Sequence, residues 1–414
     1  MASRIPSRSY SLGRSGFRLL AATRPSKSVS SLRSALSSPA LVLEGVGSSL
    51  CTPTPGPTKE SRVATIHSLW EMTMQPAVSC GIDIGHSGVK IVSRVRKLDG
   101  GVFTNRQFFP TAVMEAFEIR DQVEQQNARR DTVKVGSRHY FVGETAALHG
   151  DPESFLDDGW VSRPEHSALL RVAANRVEEV VGQAFGRRVM VLGLPARLEA
   201  LQRDVLGSLA SDLCPSWDIL IVPQSKAPFY AYLFDDKGRM DSGGRIMQQG
   251  WGVIDVGRYT TDCAAISQGR WSESSFSSDA GTKCAEDHLI WLVQRQGHVL
   301  AQADAEIALR TGSTLRNTVE VNLGEEVDEA LSLLRRRVLD YARRNFSKAG
   351  AKLNGIILAG GGASLVEESI RSVWENVVAL PDARYAIADG MSKFGLAADA
   401  GRSVSQVRPV PVAA

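Results

Sequence analysis

The chain changes character near residue 76, where a polar segment gives way to short apolar runs separated by glycine and turn residues. Apolar runs bounded by turn residues predict β-strands, whereas apolar positions three and four apart predict helices. The first half is therefore predicted to open with three strands and to continue with alternating strands and helices. The predicted elements are strands at 78–84, 88–97 and 101–111, extended segments around 132–143, a strand at 187–193, a helix at 196–211, a strand at 218–222 and a helix at 225–234.

The second half begins at Gly250 and repeats this plan. Three strands followed by alternating helices and strands, occurring twice, predict two α/β domains with mixed sheets. The elements predicted in this half are strands at 251–256, 261–267 and 270–276, helices within 282–310, a long helix at 324–346, a strand at 354–358, a helix at 363–374 and a last helix at 389–400.

These patterns predict domain I at 76–224 and domain II at 225–400, with the last helix of domain II returning to domain I. Residues 1–75 are rich in Ser, Arg and Pro, and we predict that this basic tail and residues 401–414 are disordered, because such segments bury too little apolar surface to offset the entropy of ordering. Three interpretations of the amino-terminal tail stay open: an organelle transit peptide, a functional basic tail, or sequence upstream of a true start at Met72 or Met74. Mass spectrometry of the native amino terminus distinguishes them.

The charge distribution changes the picture of possible partners. The formal net charge is +3, but residues 1–43 hold seven basic and no acidic residues. Removing those seven from the 48 basic residues leaves 41 against 45 acidic ones, so the rest of the chain carries about −4. A domain with this balance lacks the basic excess that direct nucleic-acid binding requires.

The composition is that of an ordinary globular protein, with 43% hydrophobic and 22% charged residues. No apolar run is long enough to span a membrane, so we expect no membrane partner. We also expect a cytoplasmic protein. The cysteines show neither disulfide nor zinc spacing and are interpreted as reduced thiols. They are Cys51, Cys80, Cys214, Cys263 and Cys284.

The two halves share one short motif at the end of their first strands. Residues 81–88 align with residues 253–260, and both read apolar, Asp, apolar, Gly, a basic residue and a small turn. The aligned Asp83 and Asp255 are 172 residues apart, which is about one domain. The repeat indicates an internal duplication.

This motif suits phosphate binding. The glycine allows close backbone approach, and successive N–H groups of a tight turn, with the Ser87, Thr260 and Thr261 hydroxyls, can surround phosphate oxygens. An aspartate repels phosphate and is better suited to hold a hydrated Mg²⁺, and Lys90 can neutralise phosphate charge. One such motif alone could equally be a plain hairpin turn. Two at domain spacing favour a polyphosphate held from both sides.

Residues 83–90 resemble the first phosphate motif of the superfamily that contains actin, sugar kinases and Hsp70, and residues 255–262 resemble its second. Residues 356–363, with their glycine run, resemble its adenosine motif. The resemblance implies two duplicated actin-like (ribonuclease H-like) domains of α/β class around a nucleotide cleft. It also implies ATP and Mg²⁺ as cofactors.

Within this superfamily, residues 140–146, residues 193–195 and the charged helix around 325–346 resemble plasmid-segregation actins of the ParM type. This resemblance implies a slow ATP hydrolase that self-associates into filaments and moves plasmid DNA through a DNA-binding adaptor protein. Two other functions stay open: a small-molecule kinase of the same superfamily, and a nucleotide-binding regulatory or scaffold protein with little turnover. GTP in place of ATP also stays open.

The resemblance assigns Gln224 and Asp255 to catalysis, and Asp83 and Asp255 to the metal. Proteins of the ParM type more often have glutamate where this chain has Gln224, and an amide can orient water but cannot accept its proton, so slow hydrolysis is expected. Asp279 and Glu286 are weaker candidates near the ribose or phosphates. The expected nucleotide-binding residues are Asp83, Gly85, His86, Ser87, Lys90, Gly257, Arg258, Thr260, Thr261, Gly281, Gly360, Gly361 and Gly362.

Overall fold

The fold was analysed in a computed structural model that describes residues 78–150, 158–182, 186–240, 244–272, 276–316, 319–348 and 352–399. The predicted disordered tails therefore lie outside the described residues. The strands are β1 (Val78–Ile84), β2 (Val89–Arg96), β3 (Val102–Phe109), β4 (Val113–Glu115), β5 (Thr132–Val135), β6 (Arg138–Val142), β7 (Arg188–Leu194), β8 (Asp218–Pro223), β9 (Gly250–Val256), β10 (Thr261–Ser267), β11 (Arg270–Trp271), β12 (Phe276–Ser278), β13 (Ser313–Arg316), β14 (Val319–Asn322), β15 (Gly355–Ala359) and β16 (Val377–Ala379).

Helices occupy the segments between and after these strands. None of those in the described ranges is long and apolar enough to cross a lipid bilayer. They are α1 (Gln122–Ala128), α2 (Glu144–His149), α3 (Pro164–Val181), α4 (Ala196–Leu213), α5 (Ala227–Leu233), α6 (Arg245–Gln248), α7 (Thr282–Arg295), α8 (Gln302–Thr311), α9 (Gly324–Lys348), α10 (Ala363–Arg371) and α11 (Ala386–Asp399).

The first sheet has the strand order β3-β2-β1-β7-β8. Strands β1, β2 and β3 pair antiparallel, whereas β1, β7 and β8 pair parallel. Strand β1 is central and almost wholly buried, as its continuous apolar sequence favours. We call residues 78–223, which contain this sheet, the first lobe.

The second sheet repeats this arrangement. Its main order is β11-β10-β9-β15-β16, with β12 also paired to β10. The β9–β10 pair is antiparallel, and β15 runs parallel to both β9 and β16. We call residues 227–379 the second lobe. Two mixed α/β sheets of one plan confirm the fold class predicted from the sequence.

Helix α3 is the largest element that the sequence analysis did not predict. It begins at Pro164, a residue favoured in the first turn of a helix, and ends before Gly182, whose φ is +55°. Its Leu169, Leu170 and Val177 are fully buried in the core of the first lobe. Its buried side also contains two polar residues, His166 and Arg176, which weaken the contrast between apolar and polar faces in the sequence. The short elements α1, α2, β4, β13, β14 and β16 were also not predicted.

Helix α11 joins the two lobes through close packing. Its Met391 packs with Val189 and Val191 of the first sheet, while Ala386 and Ala397 belong to a core cluster of the second lobe. A Cβ atom on Gly390 would collide with the carbonyl oxygen of Ala227 in α5. The helices therefore need glycine where they meet. The domain limits at 224 and 400 stay predictions.

A buried charge network reinforces this junction. Arg94 of β2 is fully buried, and its Nη2 lies 2.8 Å from Asp389 Oδ1 and 2.9 Å from Asp236 Oδ1. Arg94 Nη1 donates to Ser392 Oγ, and Lys393 Nζ lies 3.3 Å from Asp389 Oδ2. Burial alone would raise the pKa of Asp389, but Arg94 and Lys393 outweigh it and keep this pKa below its usual value.

We expect Asp389→Ala to lower the free energy of unfolding by about 3 kcal/mol, because it leaves the buried Arg94 charge without its more buried carboxylate partner. Urea denaturation measures the change. Glu179→Ala is the control, since Glu179 pairs with Arg130 on the surface, and it should cost less than about 1 kcal/mol. Equal losses in the two variants would show that the buried network contributes nothing special.

His166 of α3 is a buried histidine in the first lobe. Its side chain is 3% exposed, and its ring meets the Trp160 ring edge-on at 4.9 Å. Burial lowers the pKa of His166 from 6.5 to about 4. The imidazole is therefore neutral in the folded protein at neutral pH, whereas in the unfolded chain it becomes protonated below about pH 6.5.

This difference predicts acid sensitivity. Between the unfolded pKa of 6.5 and the folded pKa of about 4, the unfolded chain binds more protons, so stability is complete above pH 6.5 and is lost as the pH falls toward 4. The loss should reach about 3 kcal/mol. Urea midpoints at several pH values, compared between the native chain and His166→Phe, measure it. Parallel pH profiles for both proteins would contradict the prediction.

Candidate functional site

The two aligned motifs form equivalent turns at the ends of β1 and β9. The Gly85 N–H donates to the Gly88 carbonyl at 3.3 Å in the first turn, and the Gly257 N–H donates to the Thr260 carbonyl at 2.8 Å in the second. In the first turn, Thr111 Oγ1 also donates to the Gly85 carbonyl at 2.5 Å. The local sequence therefore produces the same backbone turn in both lobes.

The two turns face each other across one cleft. The ring of His86 in the first turn lies 5.6 Å from the ring of Tyr259 in the second. The charge of Asp83 also acts on Asp255, so these carboxylates share one electrostatic environment. The pKa of His86 lies below 6.5 because of partial burial and then because of Lys90, so this ring is neutral at neutral pH.

Asp83 is buried and has two partners. Lys90, directly opposite on β2, places its Nζ 3.3 Å from Asp83 Oδ2. Gln224, which begins a single helical turn after β8, donates its Nε2–H to Asp83 Oδ1 at 3.0 Å. The structure thus brings three predicted site residues together in the first lobe.

Asp255 has a contrasting environment. Its opposite neighbour on β10 is Asp262 rather than a lysine. Burial, and then the charges of Asp262 and Asp83, raise the pKa of Asp255 to about 7, and Lys90 opposes them. The charges of Asp262 and Asp83 both act on Asp255, so positive charge in the cleft would favour the ionised form of Asp255.

The second turn is anchored to helix α7. The N–H of Thr282 donates to the Gly257 carbonyl at 3.0 Å, and the N–H of Lys283 donates to the Arg258 carbonyl at 2.7 Å. A Cβ atom on Gly281 would collide with the Arg258 carbonyl, so this position needs glycine. Gly281 therefore serves the packing of the turn.

The Arg258 side chain points to carboxylates of the second lobe. Its Nη2 lies 2.9 Å from Glu286 Oε2, and its Nη1 lies 3.6 Å from Glu306 Oε2. Glu286 is fully buried and also accepts hydrogen bonds from Thr282 Oγ1 and Gln302 Nε2. Arg258 is thus engaged in holding α7 and α8 beside the turn.

The hydroxyl groups of the predicted site differ in their environments. Thr261 is fully buried and donates to the Ala280 carbonyl within the second lobe. Thr260 lines the cleft, and its Oγ1 lies 3.4 Å from Asp262 Oδ2. Ser87 is half-buried in the first turn. Of the two threonines, Thr260 is the one placed to contact a ligand in the cleft.

The glycine run lies after β15, next to the second turn. Gly360 has a φ of +88°, and a Cβ atom there would collide with the Val256 carbonyl and Asp255 Oδ1. A Cβ atom on Gly362 would come within 2.6 Å of Val256 Cγ1. Gly361 is more open, and its carbonyl accepts from Arg310 Nη2 at 2.9 Å. The run therefore lets this loop pack against the end of β9.

Two cavities open at these residues. One of about 230 Å³ lies between the lobes, with Gln224 and Asp255 among its walls. Another of about 450 Å³ lies beside Gly360 and Gly361 in the second lobe, with Tyr385 also in its lining. The smaller of these two cavities reaches the second turn through Asp255 and Thr260, whereas the larger one is reached through the glycine run.

Sequence analysis missed Asp262 and Arg197, which both line the cleft. Asp262 could have been found, since the antiparallel register after a tight turn places it opposite Asp255. Arg197 follows residues 193–195 in the first turn of α4. Its pKa is raised, first by its hydrogen bond with Asp158 and, more weakly, by Asp262 of the other lobe. The roles of the predicted site residues stay predictions.

Within the ranges that the structure describes, no three or more His, Cys, Asp or Glu side chains cluster closely enough to hold a metal ion. Mg²⁺ is commonly held by one or two carboxylates together with phosphate oxygens and waters. Asp255 lines the cleft, and Asp83 of the other lobe is buried beside it against Gln224, which also lines the cleft, so the pair fits that pattern.

Two family models match the chain. Residues 81–205 match the one described as actin like proteins N terminal domain, and residues 253–372 match the one described as archaeal actin homologue MreB-like, C-terminal. The first match contains the first turn, and the second contains the second turn and the glycine run. This chain belongs to the actin-like superfamily. The resemblance stated from the motifs is confirmed.

Solved actin-like structures have the same fold. An archaeal actin homologue is 19% identical, with a TM-score of 0.55 over 79% of this chain and 99% of that one. Bacillus thuringiensis ParM with ATP is 15% identical, with a TM-score of 0.53 over 78% and 98% of the two chains. A ParM filament subunit from Clostridium botulinum is 17% identical, with a TM-score of 0.54 over 78% and 99%. A comparison with curated proteins finds no match.

Proposed function

We propose that this actin-like protein binds Mg-ATP between its lobes and hydrolyses it slowly. The observation that carries the proposal is that the two Asp-x-Gly turns, 172 residues apart in the sequence, meet across one cleft. Backbone N–H groups of both turns, with Ser87 and Thr260, would contact the phosphates. Lys90 would add a positive charge on the side of the first lobe.

Asp83 and Asp255 are the residues that would hold the magnesium ion in this proposal. The site suits a divalent cation, because one carboxylate from each lobe would be available beside the phosphates, and the charges of Asp262 and Asp83 both act on Asp255. Bound Mg²⁺ would offset phosphate charge and so favour attack on the terminal phosphate.

Gln224 would orient the attacking water. Its Nε2–H is used by Asp83, which leaves the amide oxygen as a hydrogen-bond acceptor for water. An amide oxygen can align and polarise a water molecule but cannot accept its proton at neutral pH. The geometry therefore supports hydrolysis that is slow compared with that of an enzyme with a carboxylate base.

The adenosine would lie against the glycine run. Gly361 presents an open backbone beside the 450 Å³ cavity, and this volume lies in the range of small-molecule sites. Gly360 and Gly362 would keep that loop close to the second turn, so one ligand could reach both places. Gly281 would keep α7 against the same turn.

The proposal extends to nucleotide-dependent self-association. The Clostridium botulinum ParM was solved as a filament of 15 strands, and the Bacillus thuringiensis ParM was solved with ATP. We propose that this chain likewise forms filaments in the cytoplasm and segregates plasmid DNA. The acidic excess of residues 44–414 favours an adaptor protein over direct contact with DNA.

We expect Gln224→Ala to reduce ATP hydrolysis by about 100-fold, the cost of misplacing a reacting group, while ATP affinity changes less than threefold. Asp255→Ala should abolish magnesium-dependent ATP binding. Calorimetric titration and phosphate release measure these effects. Gln125→Ala is a matched control, because Gln125 is exposed on α1 far from the motifs in sequence, and it should behave as the native chain.

Two results would change this assignment. Tight ATP binding with no phosphate release would select a regulatory or scaffold role with little turnover. Absence of nucleotide binding by the native chain would overturn the proposal entirely.

Filament formation has its own prediction. ATP with Mg²⁺ should increase light scattering and bring the native chain into the pellet on centrifugation, whereas Asp255→Ala should stay in solution. Negative-stain microscopy checks that the pellet contains filaments. A native chain that hydrolyses ATP yet stays monomeric at all salt concentrations would contradict self-association and leave the hydrolase intact.

A further inference from the structure

A third, smaller cavity of about 110 Å³ lies inside the first lobe, beside the first turn. Its walls come from separate elements: Ile82 of β1, Leu170 of α3, Leu192 of β7 and Leu206 of α4. Each of these four side chains is at most 2% exposed. The walls are therefore rigid and largely apolar.

One polar group in this cavity lacks a partner. His166 lines the cavity, and its Nδ1 is buried without a hydrogen bond to any described residue. A neutral imidazole has one nitrogen that donates and one that accepts, and an unsatisfied buried polar atom costs about 1–3 kcal/mol. A hydroxyl group, which both donates and accepts, would satisfy Nδ1 in either tautomer.

The outer wall is a short helical turn, Trp160–Ser162. Just before this turn, the Asp158 carbonyl accepts from Gln202 Nε2, and Asp158 Oδ1 lies 2.6 Å from Arg197 Nη2. The Asp158 and Arg197 side chains are both more than half exposed, so this ion pair contributes little stability. The turn is therefore held mainly by the buried Val161 side chain and by the contact of Trp160 with His166.

The cavity also adjoins the nucleotide cleft. His86, Pro195, Arg197 and Gln224 line both spaces. A molecule bound in the smaller cavity would therefore touch residues that the cleft also uses.

We propose that this cavity binds a small neutral molecule of the phenol class, one six-membered ring bearing a hydroxyl. An engineered apolar cavity of about 150 Å³ holds benzene, and this cavity of about 110 Å³ is smaller but continues into the cleft, so a single ring would use part of that shared space. The ring would lie among the apolar walls, and the hydroxyl would hydrogen-bond His166 Nδ1. Neither the fold nor the proposed ATPase reaction requires this site.

Phenol and benzene titrated into the full chain without nucleotide test the proposal, with ligand-observed NMR as the readout. Both should bind saturably, with phenol the tighter ligand. His166→Phe should weaken phenol about fivefold, the effect of one neutral hydrogen bond, and leave benzene within twofold. Val161→Phe, which places a ring into the cavity from the outer turn, should abolish the binding of both.

His139→Phe, at an exposed histidine on β6, is the matched control and should bind both probes as the native chain does. Absence of saturation, equal phenol affinity in native and His166→Phe proteins, or binding that survives Val161→Phe would overturn the site. If His166→Phe does not fold, the native His166 ring resonances decide, since phenol should shift them and benzene should shift them less. No nucleotide is present, so this result is independent of ATP hydrolysis.

Discussion

The arrangement of this protein depends on bringing carboxylates of two lobes to one cleft. Asp83 and Asp255 each end the first strand of a sheet, and their charges act on each other, with Asp262 adding a third. Like charges in a partly desolvated cleft repel one another strongly. In the proposed function, the ligand brings the positive charge that relieves this repulsion. Ligand binding would therefore also hold the two lobes together.

The duplicated turns have the same backbone and opposite electrostatics. On the first turn, Asp83 lies opposite Lys90, and the carboxylate is neutralised in place. On the second, Asp255 lies opposite Asp262, so negative charge accumulates. Directly opposite residues on antiparallel strands determine how such pairs interact. The residue at this register position is Lys90 in one turn and Asp262 in the other. It therefore decides whether the protein itself neutralises the carboxylate of the turn.

The junction of the lobes combines two kinds of packing. Gly390 allows the backbones of α5 and α11 to touch, and any larger residue there would force these helices apart. Arg94 adds a buried charge that is satisfied only when Asp389 and Asp236 converge on it. Close backbone contact fixes the distance between the elements, and the charge network fixes their orientation. The cleft residues depend on both, since α11 also supports the first sheet.

The sequence by itself determined the elements next to the turns: β1 and β10 have the limits predicted from their apolar runs, and the duplicated motif identified the superfamily. Hairpins are local, so a few adjacent residues encode them. Tertiary structure decided the rest. Helix α3 was missed because two polar residues, His166 and Arg176, lie on its buried side, and the partners of Arg94 come from distant segments. Burial and long-range charge are properties of the assembled fold, and no local pattern contains them.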